Sequence, residues 1–264
     1  VNLILGIDGL EPEYVPKMKF VESLKSKSIY GWHECFKCGQ KVPHTGPNWM
    51  TLYTAKPPEE HGVTFGGWTE GETDLRNFDT IFDKINCAVV DMPVTWKAKK
   101  IDGWMFSGFP SAHKICYPDG FIRYFTWGLA GDLVIELNQE EISKDVFESN
   151  YYNNEEEKFW SVMDLVEEYP VDNLFYGISM LDHFGHFLSI DKISQAYKWV
   201  DSQVQKFNEL LDIDKLIIVS DHGFNFRKKQ HDDFGFHIFY PNKSQFERNS
   251  ILDVAKHTHR VLTE

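Results

Sequence analysis

The segments NLILGID (residues 2–8), LFYGISMLD (174–182) and KLIIVSD (215–221) share one pattern, an apolar run that ends in an aspartate. Runs of this length, rich in Leu, Ile and Val, read as buried strands. Two amphipathic helices lie between them. Phe159, Val162, Met163 and Val166 align within Glu155 to Glu168, with Glu155 to Glu157 as its charged first turn. Ile193, Ala196, Tyr197, Val200, Val204, Phe207, Leu210 and Leu211 align in the next. Alternation of strand and helix predicts an α/β protein with a mostly parallel central sheet flanked by helices. In such a sheet the ligand site lies beyond the carboxyl ends of the strands, so Asp8, Asp182 and Asp221 are expected to converge there. Three buried carboxylates repel one another, and a cation is the simplest way to hold them together.

Outward from these strands, Lys17 to Lys27 reads as a short helix, Asn48 to Thr54 as another ended by Pro57 and Pro58, and Cys87 to Asp91 and Trp104 to Phe106 as further strands. The stretch from about 107 to 152 is rich in Gly, Pro and aromatics with weak periodicity, and is expected to be a small irregular cap or insertion within one domain spanning residues 1–264. A chain of 264 residues with 42% hydrophobic residues can bury a sizeable core without staples. The four cysteines, Cys35, Cys38, Cys87 and Cys116, therefore read as thiols, and the chain as cytoplasmic. No apolar run is long enough to cross a bilayer, and no membrane association is expected. A net charge of −13 disfavours stable binding to nucleic acid. It leaves small anionic substrates open, because a bound metal reverses the local field.

Histidines sharpen the site. Asp182 and His186 have Asp-x-x-x-His spacing, which puts both on one side of a helical turn, and His222 follows Asp221 directly. Mixed imidazole and carboxylate ligands suit zinc, manganese or iron better than calcium or magnesium. His33, His113, His257 and His259 read as structural. In the segment PHTGPNW (43–49), Thr45 lies just before a helix start, beside exposed backbone N–H groups that can bind phosphoryl oxygens, and a divalent cation can activate its hydroxyl. Asn48, one turn on, can donate its amide to a non-bridging oxygen. Taken alone, Thr45 would equally read as a helix cap.

Together GIDGLEPEYV (6–15), HTGPNWMTLYTAKPPEEHGV (44–63), VDMPVTWKAKKIDGWMFSGFPS (90–111), LDHFGHF (181–187), VSDHGF (219–224) and HDDFGF (231–236) resemble the type I phosphodiesterase and nucleotide pyrophosphatase branch of the alkaline phosphatase superfamily. The resemblance implies an alkaline-phosphatase-like core and two divalent metal ions, zinc first, with manganese or iron as alternatives. One ion would be held by Asp8, Thr45, Asp221 and His222, the other by Asp182, His186 and His231, with His237 as the competing candidate for the last position. His61 matches the His-Gly that closes the nucleophile block, in a structural role, and His183 is left outside the ligand set. The implied activity is hydrolysis of a phosphodiester or nucleotide pyrophosphate, with Thr45 as nucleophile, a covalent phosphothreonine intermediate, and a small phosphate ester or nucleotide as substrate. A phosphomonoesterase, a phosphonate hydrolase, a phosphotransferase or mutase on the same core, and a binding protein that has lost turnover are the alternatives. The oligomeric state is not legible.

Overall fold

A computed structural model describes residues 1–64, 74–108, 114–116, 122–124, 130–241 and 250–264. In chain order its elements are β1 (Asn2–Ile7), α1 (Lys19–Leu24), β2 (Ile29–Glu34), α2 (Thr45–Thr54), α3 (Pro58–His61), β3 (Cys87–Val90), β4 (Gly103–Phe106), β5 (Lys114–Cys116), β6 (Ile122–Tyr124), α4 (Ala130–Asn138), α5 (Lys144–Glu168), β7 (Asn173–Ile178), α6 (Met180–Phe187), α7 (Ile190–Leu210), β8 (Lys215–Val219), β9 (Gly223–Asn225), β10 (Gln230–Asp232), β11 (Phe234–Tyr240) and α8 (Ile251–Thr263). The main sheet has the order β2-β11-β8-β1-β7-β3-β4-β5-β6. Its centre, β8-β1-β7-β3-β4, is parallel, and the pairings at both margins are antiparallel. β9 and β10 form a separate hairpin.

Side chains alternate along the central strands, and each face carries its own core. Leu3, Leu5 and Ile7 of β1 pack with Phe159, Tyr197, Val200 and Phe207 from α5 and α7. Ile4 packs on the opposite face with Trp49, Met50 and Tyr53 of α2 and with Val254 and Ala255 of α8. Burying both faces explains why these strands read as continuous apolar runs. The parallel register pairs Ile7 with Ile178 and Gly6 with both Gly177 and Val219, so β1, β7 and β8 end at one level. At that edge Asp8 follows β1 directly, Asp221 follows β8 after one residue, and Asp182 lies in the first turn of α6, just past β7.

Two helices begin earlier than their sequences suggest. α2 starts at Thr45, so Pro47 falls within its first turn, where its missing N–H leaves no helical bond unmade. α5 starts at Lys144, with the Ser143 side chain accepting a bond from the Val146 N–H, and so takes in the end of the stretch expected to be irregular. Its buried face runs through Phe147, Tyr151, Glu155, Lys158, Phe159, Val162 and Leu165. Three charged residues, Glu148, Glu155 and Lys158, are buried on this helix, and over its first eleven residues only Phe147 and Tyr151 mark the buried face as apolar. Lys158 donates to Asp91 Oδ2 at 2.7 Å, Glu155 Oε1 at 2.8 Å and the Gly177 carbonyl at 3.1 Å, which lets Lys158 and Glu155 be buried and Asp91 partly so. Of the 107–152 stretch, β5, β6, α4 and the first turns of α5 are described; residues 109–113, 117–121 and 125–129 lie outside the described residues, as does the His113 assignment. β2, β11 and α8, which carry no strong local signal, complete the sheet margin and the α2 face.

Candidate metal centre

Each carboxylate reaches the site through its strand. Asp8 follows β1, and its N–H donates to the Ile178 carbonyl at 3.0 Å, locking it beside the end of β7. Gly9, at φ +70°, turns the chain away, and a Cβ there would lie 2.9 Å from the Asp182 Cα, so only glycine lets the two aspartates approach. Asp182 and His186 sit one turn apart on α6, His186 Nε2 being 3.5 Å from Asp182 Oδ1, as their spacing predicts. His231, on β10, brings its Nε2 to 3.3 Å from the same oxygen. Asp221 and His222 follow β8; His222 Nε2 lies 3.2 Å from Asp221 Oδ2, 3.4 Å from Asp8 Oδ1 and 3.3 Å from Thr45 Oγ1.

Thus the structure gathers Asp8, Thr45, Asp221 and His222 on one side and Asp182, His186 and His231 on the other. The two sides touch: the His222 and His231 rings stack at 3.8 Å between centroids. Possible ligand atoms of Asp182, His186 and His231 lie within 4.8 Å of one another, and so do those of Asp8, Asp182 and His222. Asp182 therefore faces both groups, a position that sequence order does not reveal.

Whether these residues fit cations is answered by the carboxylate oxygens. Asp8 Oδ1, Asp182 Oδ1 and both Asp221 oxygens are buried and accept no hydrogen bond among the described residues. Burial, then repulsion from Asp221 and Asp182, pushes the Asp8 carboxyl well above the usual carboxylate range; burial and the Asp182 charge do the same to Asp221. Burial also opposes ionisation of Asp182, but the His186 and His231 imidazoles overcome it and hold its carboxyl well below the usual range. Burial disfavours a charged His231 too, yet Asp182 raises it to about 9. A divalent cation in each group would replace these strained protonation states with coordination, and the mixed oxygen and nitrogen donors suit that role.

Two backbone carbonyls aim the imidazoles. His222 Nδ1 donates to the Gly223 carbonyl at 3.0 Å, and His231 Nδ1 donates to the Pro43 carbonyl at 2.8 Å. A carbonyl can only accept, so in the neutral rings each Nε2 keeps its lone pair facing the carboxylates. Burial also holds His222 well below the usual histidine range, keeping it neutral. His237 lies elsewhere, on β11. His33 Nε2 donates to the Ser220 carbonyl at 2.9 Å, so His33 Nδ1 accepts from His237 Nδ1 at 3.0 Å. Of the two competing histidines, His231 joins the cluster. His61 Nδ1 accepts from the Val63 N–H and its Nε2 meets Thr51 Oγ1, a buttress for α2. His183 Nδ1 meets the Tyr151 hydroxyl at 2.8 Å.

Asn48 is placed differently from its expected role. It is fully buried, its Oδ1 accepts from the Phe36 N–H at 2.8 Å, and its Nδ2 donates to the Phe36 and His44 carbonyls at 3.0 and 2.9 Å. With the amide committed to backbone, Asn48 ties the loop before α2 to the helix and so positions Thr45. Gly9 and the Pro43 carbonyl are further site-building groups. The Asp8-Gly9 pair hinted at the former, whereas nothing local marks the latter.

The sheet, largely parallel and flanked by helices, with two groups of residues that could hold cations at its carboxyl edge, fits an alkaline-phosphatase-like fold. Residues 2–250 match the family profile of type I phosphodiesterase / nucleotide pyrophosphatase, and the chain belongs to that family of enzymes. No curated protein sequence matches it. Among solved structures, phosphonoacetate hydrolase from Sinorhizobium meliloti is similar at a TM-score of 0.52 and 16% identity, over 84% of this chain and 56% of that one. Murine ectonucleotide pyrophosphatase / phosphodiesterase 5 gives 0.50 and 16%, over 84% and 57%. The PH0037 protein of Pyrococcus horikoshii gives 0.55 and 10%, over 99% and 96%. At these identities the likeness shows the shared fold. The matches to the first two span little more than half of those chains. Among the described residues no helix is long and apolar enough to cross a membrane.

Proposed function

We propose that this chain hydrolyses phosphodiesters or nucleotide pyrophosphates, with Thr45 as nucleophile. The observation that carries this reading is the position of Thr45 Oγ1, 3.3 Å from His222 Nε2 at the first residue of α2, beside three buried carboxylates. Two divalent cations, zinc first and manganese or iron next, held by Asp8, Asp221, His222 and Thr45 and by Asp182, His186 and His231, would favour the ionised hydroxyl and neutralise the departing oxygen.

The N-terminus of α2 presents the backbone N–H groups of its first turn to the non-bridging oxygens of the substrate. Asn48 holds that turn in place. Thr45 Oγ forms a bond to phosphorus as the bond to the leaving oxygen breaks, and solvent protonates the leaving group. Water then adds to phosphorus, the bond to Thr45 Oγ breaks, and the threonine hydroxyl is restored with a proton from that water. Two in-line displacements give net retention at phosphorus.

We take residues 1–264 as one catalytic domain with a cap or insertion around 107–152, acting on a small phosphate ester or nucleotide. The cytoplasm is our proposed compartment, on the strength of the free thiols of Cys35, Cys38 and Cys87. Thr45→Ala should abolish turnover while metal content stays near wild type; full activity in that variant overturns the nucleophile assignment. Rates on an aryl phosphodiester, the matching monoester and a phosphonate, with zinc or manganese supplied, separate the diesterase from its nearest alternatives. Product analysis with an added alcohol tests phosphoryl transfer.

A further inference from the structure

A second cavity, of about 380 Å³, opens at the end of α6, immediately beyond His186. Its walls include Lys144, Lys192 and Lys229. Lys144 Nζ donates to the Phe187 carbonyl at 2.7 Å and Lys229 Nζ to the His186 carbonyl at 3.5 Å. Both partners are neutral, so neither lysine charge is cancelled by them, and each ammonium keeps further donors. Lys192 is paired with Glu148 at 2.5 Å, which leaves Asp145 as the remaining carboxylate in the lining. Ser189 caps the 21-residue α7 without a side-chain hydrogen bond, and Ser189, Ile190 and Lys192 all line the cavity, so the positive end of that helix faces it too. Phe187 and Phe226 supply an apolar floor. The lining thus sets three lysines against two carboxylates, one of them already paired, in a chain of net charge −13.

We infer that this cavity is a subsite for the leaving group, and that it takes a second anionic substituent, a phosphate, carboxylate or sulfate, carried on an apolar or aromatic stem. The inference rests on the hydrolase reading above. In that reading Asp182, His186 and His231 serve the departing oxygen. Phe187 and Leu188, the next two residues, line the cavity, and Lys229 Nζ lies 3.5 Å from the His186 carbonyl, so the cavity adjoins a residue of that group. A leaving group that extends past His186 is directed toward Lys229 and Lys144. Another cavity, which shares Phe226 with this one, is lined by Glu11, Glu13 and Asp232 against the single cation Arg227, and so has the opposite charge balance.

The test uses the full chain loaded with its divalent cation and two aryl phosphodiesters that differ only in the leaving phenol, one carrying a carboxylate and the other a carboxamide. Wild type should prefer the anionic ester about tenfold in kcat/KM, the scale of one charge-assisted hydrogen bond. Lys144→Gln and Lys229→Gln should each cut that preference to about threefold or less and leave the neutral ester within about twofold, while Lys144→Arg retains it. Equal loss on both esters would mean that the lysines only hold the end of α6, and overturns the subsite; so does the absence of any preference in wild type. If neither ester is hydrolysed, the hydrolase reading itself has failed. Calorimetric titration with benzene-1,3-disulfonate, a poor metal ligand, then decides the subsite. Affinity at least fivefold weaker in the Lys144→Gln/Lys229→Gln variant, on the same charge-contact scale, supports it, and equal affinity overturns it.

Discussion

Replacing Lys158 with methionine keeps most of the side-chain volume but removes the cation that joins buried Glu155 to partly buried Asp91. The lysine side chain is 5% exposed and Glu155 5%, and the ammonium bridges Asp91 at the end of β3, Glu155 on α5 and the Gly177 carbonyl on β7. Without it two carboxylates face each other with no counter-charge, and breaking such a pair costs about 3–5 kcal/mol. That is a large part of a typical domain stability of about 5–15 kcal/mol. The pH dependence gives the reasoning a second handle. Burial already raises Glu155 to about 7, even though the Lys158 charge pulls it down. Loss of the lysine removes that pull, so Glu155 takes up its proton at higher pH in the folded variant. A carboxyl whose folded pKa is raised contributes stability that is present below its unfolded value and lost as pH rises through the folded one. The deficit of Lys158→Met should therefore be largest near pH 8 and shrink toward pH 5. Urea denaturation of both proteins at the two pH values measures it. A deficit below about 1 kcal/mol at pH 8, the range of an exposed pair, or one that does not change with pH, refutes the account.

Other outcomes follow from the site. His231→Ala should lose about one equivalent of bound metal, whereas His237→Ala should keep the metal and instead lower stability by about 1–3 kcal/mol, because it leaves His33 without its buried partner; metal analysis with thermal melts compares them, and the reverse pattern would exchange the two roles. Chelation should destabilise the chain, and more so as pH rises from about 6.5 to 9. Asp182 raises His231 to about 9 against the opposing effect of burial, so its contribution is full below the unfolded value of 6.5 and is lost through 9, up to about 3 kcal/mol. The buried Asp8 and Asp221, raised above 3.8, lose stability in the same direction, while Asp182, held below its usual range, opposes only in acid. Melts of chelated protein that improve toward pH 9 would contradict this.

How far the site was legible depends on the distance over which each relation acts. Asp182 and His186 are four residues apart, and helix geometry alone places them together. Asp8, Asp182 and Asp221 could be placed at one edge because apolar runs mark buried strands and parallel sheets put ligand sites at carboxyl ends. α5 was read eleven residues short, because residues 144–154 include Ser149, Asn150, Asn153 and Asn154, weak helix formers, with only Phe147 and Tyr151 as large buried apolar residues. Farther along the helix, the burial of Glu155 and Lys158 depends on Asp91, more than sixty residues earlier in the chain. His231 and His237 are six residues apart on different strands, and no local pattern tells which faces the carboxylates.

By itself the sequence determined the α/β alternation, the three strand-end aspartates and the Asp-x-x-x-His turn, because periodicity and covalent spacing act within a few residues. Tertiary structure alone decided that Asp182 faces both groups of candidate ligands, that Asn48 serves the backbone of Phe36 and His44, and that the Pro43 and Gly223 carbonyls aim the two imidazoles. Those relations depend on sheet order and on close backbone approach, as at Gly9. They exist only once strands distant in the chain have been brought to one edge.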